Sequence, residues 1–315
     1  MMPRSALSLI TILITSLLIS ACSRQALYDN AIAWERSGAG LEPAVMTVDD
    51  MTIAYLKSKE TVDGDTIVMI HGFGANKDNW TRLASELSDD FNVYAIDLPG
   101  HGESSKPLDI GYHFDEQTRR LSRILAELDL GRFHMMGNSM GGAITALYAA
   151  YYPEQIRSAV LFDPAGIWAY ESDLAEQVVA GGKNPLIPTE EGDFERLVDF
   201  ALVEKPFVPW PIYSVMEEKA IANRDVNTVI FNDIRDSTMA SQFSEDITAI
   251  KAPVLIIWGQ EDRITDPRNA DIFVQQIPDA RKVLLDGIGH APMIEAPEKS
   301  AALFREFLAE SVKTR

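Results

Sequence analysis

From residue 66 onward the chain alternates short, nearly continuous apolar runs with longer stretches in which apolar residues recur every three or four positions. The runs TIVMI, NVYAID, RFHMM, IRSAVLFD, APVLIIWG and ARKVLL have the length and density of strands buried on both faces. Between them lie amphipathic helices. Residues 114–128 place Leu121, Leu125 and Leu128 on one face, and the segment through Tyr151 does the same with Ile144, Leu147, Tyr148 and Tyr151. Residues 268–276 and 297–311 follow the same rule, the last burying Leu303, Phe304, Phe307 and Leu308. Upstream, PAVMTV, DD and MTIAYL read as strand, turn and strand, a β-hairpin. Strands that alternate with helices lie mostly parallel, because each crossover returns the chain to the same edge. The expected class is therefore α/β, a mostly parallel central sheet flanked by helices.

The rhythm stops between residues 166 and 245, where Pro and aromatic residues cluster in GGKNPLIP and PFVPWPIY among several helical patches. This stretch has little core of its own, so it reads as a helical cap inserted over the carboxyl edge of the sheet. The organisation expected is residues 1–21 as a signal peptide or membrane anchor, 22–42 as a tether, 43–165 and 246–315 as the two parts of the core, and 166–245 as the cap. Within the tether, Leu27, Ala31 and Trp34 have helical spacing, and SGAG at 37–40 ends it.

Residues 5–21, SALSLITILITSLLISA, carry no charge and follow Arg4, the arrangement of an export signal. The run is also close to the shortest helix that spans a bilayer. Ile19-Ser20-Ala21-Cys22 resembles the lipobox of bacterial lipoproteins, in which the cysteine is lipidated and becomes the mature N-terminus. Cys22 is the one cysteine in the chain, so the fold is expected to stand without an internal disulfide. Either reading, lipidated Cys22 or uncleaved helix, predicts an exported protein held at a membrane of the bacterial envelope. The net charge of −19, from 28 basic and 47 acidic residues, repels phosphate backbones and argues against nucleic acid as a partner. Oligomeric state is not legible here.

The candidate chemistry collects where strands end, which is where reactive groups of open parallel sheets gather. GNSMG at 137–141 fits G-x-S-x-G between a strand and a helix. A turn that tight leaves no room for side chains two before and two after the serine, and it exposes Ser139 as a nucleophile. A serine hydroxyl needs a base. Of the five histidines only His290, in DGIGHAP, follows Ser139 in the chain order such sites use. Asp262, in WGQEDRITDP after the strand VLIIWG, is the preferred acid to orient it, with Asp163 at the end of VLFD as the rival. The backbone N–H of Met140, just after the serine, and that of Phe73, in HGFG, are the expected oxyanion donors. Trp168, Phe207, Trp210 and Tyr213 are candidate walls of an acyl pocket under the cap.

HGFG, IDLPGHGES, GNSMGGA, WGQEDRIT and GIGHAP stand in the order and spacing of the α/β-hydrolase family, which the chain resembles over about residues 45–315. Within that family it looks most like exported, membrane-anchored bacterial lipases and esterases. The resemblance implies a serine ester hydrolase working through an acyl-enzyme on lipids or small esters, without metal or organic cofactor. Carbon–carbon bond hydrolases of aromatic ring-fission products share a similar GNSMGG turn and are the enzymatic alternative, although they are cytoplasmic. Dehalogenase and epoxide-hydrolase relatives carry aspartate where this chain has Ser139. An idle fold serving as a membrane-tethered binding module is the alternative of a different class.

Overall fold

The computed structural model describes residues 23–239 and 241–313. The run from 5 to 21 and Cys22 lie outside them. Eight strands form one sheet: β1 (Leu41–Val48), β2 (Met51–Ser58), β3 (Thr66–Ile70), β4 (Asn92–Ile96), β5 (Phe133–Asn138), β6 (Ile156–Phe162), β7 (Val254–Gly259) and β8 (Ala280–Leu285). Their order is β1-β2-β4-β3-β5-β6-β7-β8, with β2 antiparallel to both neighbours and every later pair parallel. Asp49 and Asp50 both take positive φ (49° and 63°), which turns β1 into β2 in two residues with the strands' own twist.

The inner strands, such as TIVMI of β3 and VLIIWG of β7, are apolar at nearly every position and are covered on both faces. Val68 and Ile70 of β3 and Val254, Ile256 and Trp258 of β7 face one core. That core is shared with α3 (Phe114–Leu128) and α4 (Met140–Tyr151). The alternate residues, Ile67, Met69, Leu255 and Ile257, face the other core, with Leu83 of α2 (Thr81–Leu87) and Phe304 and Phe307 of α12 (Pro297–Lys313). The period of two in side-chain direction thus divides one continuous apolar run between two cores. Helix α4 is buried from Met140 to Ala149, on all sides rather than on one stripe, whereas Tyr151 is 37% exposed. Helix α2 was not expected; its TRLASEL is too short to show periodicity.

Between β6 and β7 the described residues hold helices and no strand: α5 (Asp173–Val179), α6 (Asp193–Ala201), α7 (Trp210–Ala222), α8 (Arg224–Met239) and α9 (Gln242–Asp246). Residues 23–38 form α1, which lies on the cap rather than hanging free. Arg24 bonds Ser214 (3.2 Å) and Glu218 (3.1 Å) of α7, and Lys219 sits 4.9 Å above the Tyr28 ring. At its other end Arg36 grips Asp78 of the core through two bonds of 2.6 and 2.8 Å.

Candidate active site

Ser139 sits between β5 and α4 with φ 54° and ψ −117°, a conformation that only glycine adopts without strain. Its neighbours explain how the chain holds it. A β-carbon on Gly137 would lie 2.1 Å from the carbonyl oxygen of Gly141, and one on Gly141 would lie 2.2 Å from that of Ile70. The two glycines are therefore steric requirements of the turn. Hydrogen bonds fix the serine's backbone: its N–H donates to Phe162 O (2.9 Å), and its carbonyl accepts from Ala165 N–H (3.0 Å).

His290 follows β8, and Asp262 follows β7. The ring Nδ1 of His290 lies 2.7 Å from Asp262 Oδ2, both residues being buried. Asp262 Oδ2 also accepts from the Thr265 hydroxyl (2.7 Å) and the Trp258 indole (3.1 Å), and Oδ1 accepts from the N–H groups of Ile264 (2.8 Å) and Thr265 (3.1 Å). Five donors thus converge on one carboxyl, which behaves as an acceptor throughout. The neighbouring residue to the serine joins the segments: Asn138 Nδ2 donates to the carbonyl of His290 (3.0 Å). The cap reaches the same loop, since His290 N–H donates to Ala201 O at the end of α6 (2.8 Å). Sequence reasoning passed over Asn138, Trp258 and Thr265 because each stands inside a motif already read for another residue.

The HGFG loop lies against the serine. A β-carbon on Gly72 would come within 3.3 Å of Ser139 Cβ. His71 Nε2 accepts the N–H of Leu98 (3.0 Å), so the ring's proton is on Nδ1, which donates to the Gly72 carbonyl (2.8 Å). Carbonyl and N–H point opposite ways across a planar trans peptide. Anchoring Gly72 O to His71 therefore turns the Phe73 N–H away from that side. Met140 opens α4, where backbone N–H groups have no partner inside the helix.

Burial lowers His71 below the ordinary imidazole range, Asp97 opposing it only partly. The buried His101, whose ring centre is 4.7 Å from that of His71, is lowered further by burial and by His71 itself. Both rings are thus neutral packing and hydrogen-bonding groups at neutral pH.

A cavity of about 630 Å³ opens beneath the cap. Its walls include Ile167, Trp168, Leu174, Val178, Phe231 and Ile234. Phe231 packs on Phe73, ring centres 5.7 Å apart, and Leu174 clusters with Ile264, two residues past Asp262. These two contacts link the cavity's walls to the site's loops, although none of Ser139, Asp262, His290, Phe73 and Met140 lines it. Of the expected pocket walls, Trp168 lines it. Tyr213 packs on Phe194 within the cap (5.1 Å). Phe207 and Trp210 are 89% and 71% exposed and do not line the cavity; they point to solvent on a Pro-rich turn that holds them off the cap's interior. A larger groove of about 760 Å³, around His113, Arg119, Tyr151 and Asp246, contains none of the site residues.

Asp163, Asp262 and His290 offer ligand atoms within 4.8 Å of one another, a spacing that would also suit a cation. The donor set argues otherwise, because a cation would have to displace N–H and O–H groups from both oxygens of Asp262.

Comparison with known proteins agrees with this arrangement. Residues 65–297 match the profile of the α/β hydrolase fold. The chain is similar to Lipase 3 of Moraxella sp. (strain TA144), 32% identical over 277 residues that cover 88% of this chain and 87% of that one. It is 28% identical to human monoacylglycerol lipase ABHD6 over 286 residues, 88% and 84% of the two chains. Among solved structures it is similar to a membrane phospholipase A described as a bacterial virulence factor, with a TM-score of 0.89 and 36% identity over 98% of this chain and 99% of that one. A parallel sheet in this strand order, a strained serine after β5 and a histidine–aspartate pair after β8 and β7, joined to that sequence match, leave one assignment: the chain belongs to the α/β-hydrolase fold family.

Proposed function

We propose that the protein is a serine carboxylic-ester hydrolase, a lipase or esterase, acting on esters of apolar acids. The observation that carries this reading is the buried 2.7 Å bond between His290 Nδ1 and Asp262 Oδ2, whose loop is tied at His290 O to Asn138, the residue before a serine held at φ 54°. With Nδ1 donating to Asp262, Nε2 is the free basic nitrogen of His290. Ser139 Oγ attacks the acyl carbonyl while Nε2 takes its proton; the negative charge arising on the carbonyl oxygen meets the N–H groups of Met140 and Phe73. The proton then passes to the departing alcohol, leaving an acyl-serine. Water repeats the sequence and frees the acid. The triad supplies nucleophile, base and charge stabilisation from side chains and backbone alone.

The apolar walls of the cavity suit an acyl chain, and the lipase and phospholipase A relatives favour lipid esters. A place at a membrane fits the chain's own features. The uncharged run 5–21 precedes α1. Helix α1 lies along α7, Arg24 meeting Ser214 and Glu218 and Tyr28 meeting Lys219, and α7 begins with the exposed Trp210. Exposed aromatic residues at that end suit a lipid interface, where such side chains are enriched. Among the described residues no helix is long and apolar enough to cross a membrane; the attachment in this reading is through the uncharged run 5–21 or a lipidated Cys22.

The test is hydrolysis of p-nitrophenyl esters of graded chain length, of phospholipid in vesicles, and of an aromatic ring-fission product. Ser139→Ala should abolish ester cleavage by at least about a thousandfold while preserving the fold. Activity that survives this change, or turnover of the ring-fission product alone, refutes the ester-hydrolase reading.

A further inference from the structure

The triad uses one of two buried carboxyls that lie side by side. The other, Asp163, ends β6 with no exposed surface and with its backbone in the left-handed region, φ 45°. Its N–H donates to Ile257 O (3.0 Å) and its Oδ1 accepts from Gly259 N–H (2.9 Å), so it brackets β6 to the end of β7. Its Oδ2 is buried without a donor partner among the described residues. A carboxyl oxygen of Asp163, one of Asp262 and a ring nitrogen of His290 all lie within 4.8 Å of one another.

The titratable groups facing Asp163 are Asp262, Glu295 and His290, and none is an ammonium or guanidinium. As an anion Asp163 would be cut off from bulk solvent, with no ammonium or guanidinium facing it among the described residues, and it would repel Asp262. As an acid it has an O–H to offer at the oxygen that otherwise lacks a partner. Burial first, then the charge of Asp262, push its carboxyl well above the ordinary carboxylate range, outweighing the Gly259 N–H.

We propose that Asp163 is a positioning residue that keeps its proton at neutral pH and donates it in a hydrogen bond to Asp262, so that the acid behind His290 is a pair of carboxyls with one negative charge between them. This rests on the assignment of Asp262 and His290 made above. The arrangement adds a sixth donor to Asp262 from a base clamped to two strands. It links that carboxyl to the serine's own support, because Ala165, two residues on, donates to Ser139 O. It adds no second charge beneath the imidazole.

The test compares two variants that both tolerate the left-handed backbone. Asp163→Asn replaces a neutral carboxyl by a neutral amide that can still donate; Asp163→Gly removes the donor. The rate kcat/KM for a soluble p-nitrophenyl ester is followed against pH. The glycine variant should lose about tenfold in kcat and the asparagine variant should recover most of it, with the acid limb of its profile in the wild-type position. An ionised Asp163 gives a different result, since removing a full charge within 4.8 Å of the imidazole moves that limb to lower pH by about one unit or more. Such a shift overturns the proposal, and so does a glycine variant as fast as wild type or an asparagine variant that folds but is inactive. Infrared spectra of the wild-type chain, isotope-labelled at its aspartate carboxyls, need neither variant nor substrate. A protonated-aspartate carbonyl band should be present at neutral pH, and its absence there sinks the idea. Failure of Ser139→Ala to abolish turnover removes the triad reading instead, and it leaves this band as an independent report on Asp163.

Discussion

Ser139 shows what one residue gives up for reactivity. Its φ of 54° with ψ of −117° costs on the order of 1–3 kcal/mol for a residue with a β-carbon. Glycine there has no such cost. Ser139→Gly should therefore be inactive yet more stable, by about 1 kcal/mol after the extra entropy of an unfolded glycine is subtracted, or roughly 2–4 °C in Tm for a domain of this size. A calorimetric scan beside Ser139→Ala, which keeps the β-carbon and the strain, separates the effect from simple loss of the hydroxyl. A glycine variant no more stable than the alanine one means that the turn is not strained at this position.

At the scale of elements, the strands bring reactive loops to one edge, and an ionic cluster fixes two of those loops to each other. Lys77, just after the HGFG loop, is 1% exposed and bonds Asp97 at the end of β4 (2.8 Å) and Glu103 beyond it (2.8 Å). Burial alone would lower the lysine, but Asp97 and Asp78 outweigh it and hold the ammonium above its ordinary range. Arg36 of α1 joins the same cluster through Asp78. Removing the cation leaves the fully buried Asp97 charge unpaired. Lys77→Met should destabilise by about 3–5 kcal/mol, read as a lower urea midpoint, and adding Asp97→Asn should recover part of the loss. If the single variant is as stable as wild type, the cluster does not hold these loops.

Across the whole molecule, buried imidazoles set the response to pH. His71, His101 and His134 are all lowered, burial being the main cause in each. A lowered folded value means that the unfolded chain binds more protons below about pH 6.5. Their contribution is complete above that pH and is lost as pH falls toward the folded values. Asp193 acts in the same direction further down: burial would raise it, but bonds from Lys183, Thr189 and Arg196 hold it well below the carboxylate range. Asp163 opposes them, since a raised carboxyl contributes stability that is lost as pH rises through its folded value. Stability should therefore fall as pH drops from neutrality toward 5, by up to about 1.4 kcal/mol per pH unit for each proton taken up, read as a falling Tm; a flat profile contradicts the buried-histidine account. Membrane attachment also belongs to this scale. Cys22→Ser should shift the protein from the membrane fraction to the soluble one if lipidation is the anchor, whereas retention in the membrane assigns that role to residues 5–21.

Much of this protein was legible from order along the chain. Strands such as TIVMI and ARKVLL, the helix at 114–128 and the glycine-flanked Ser139 follow from local sterics and from periodicity, which a sequence states directly. The candidate nucleophile and base could be named because chain order left His290 as the one histidine after Ser139. What folding alone decided was pairing across space. Of the two candidate acids, Asp262 is the one folded to within 2.7 Å of the His290 ring, with Asp163 buried beside the pair. The cap aromatics divided into Trp168, which lines the cavity, and Phe207 and Trp210, which face outward, because side chains in irregular, Pro-rich segments have no period from which direction can be read. Residues 23–38 became a helix docked on α7 through Arg24 and Tyr28, contacts between positions far apart in the chain. A sequence encodes which side chains are near in order; burial and charge neighbours, which decide how carboxyls and imidazoles behave, exist once distant segments have met.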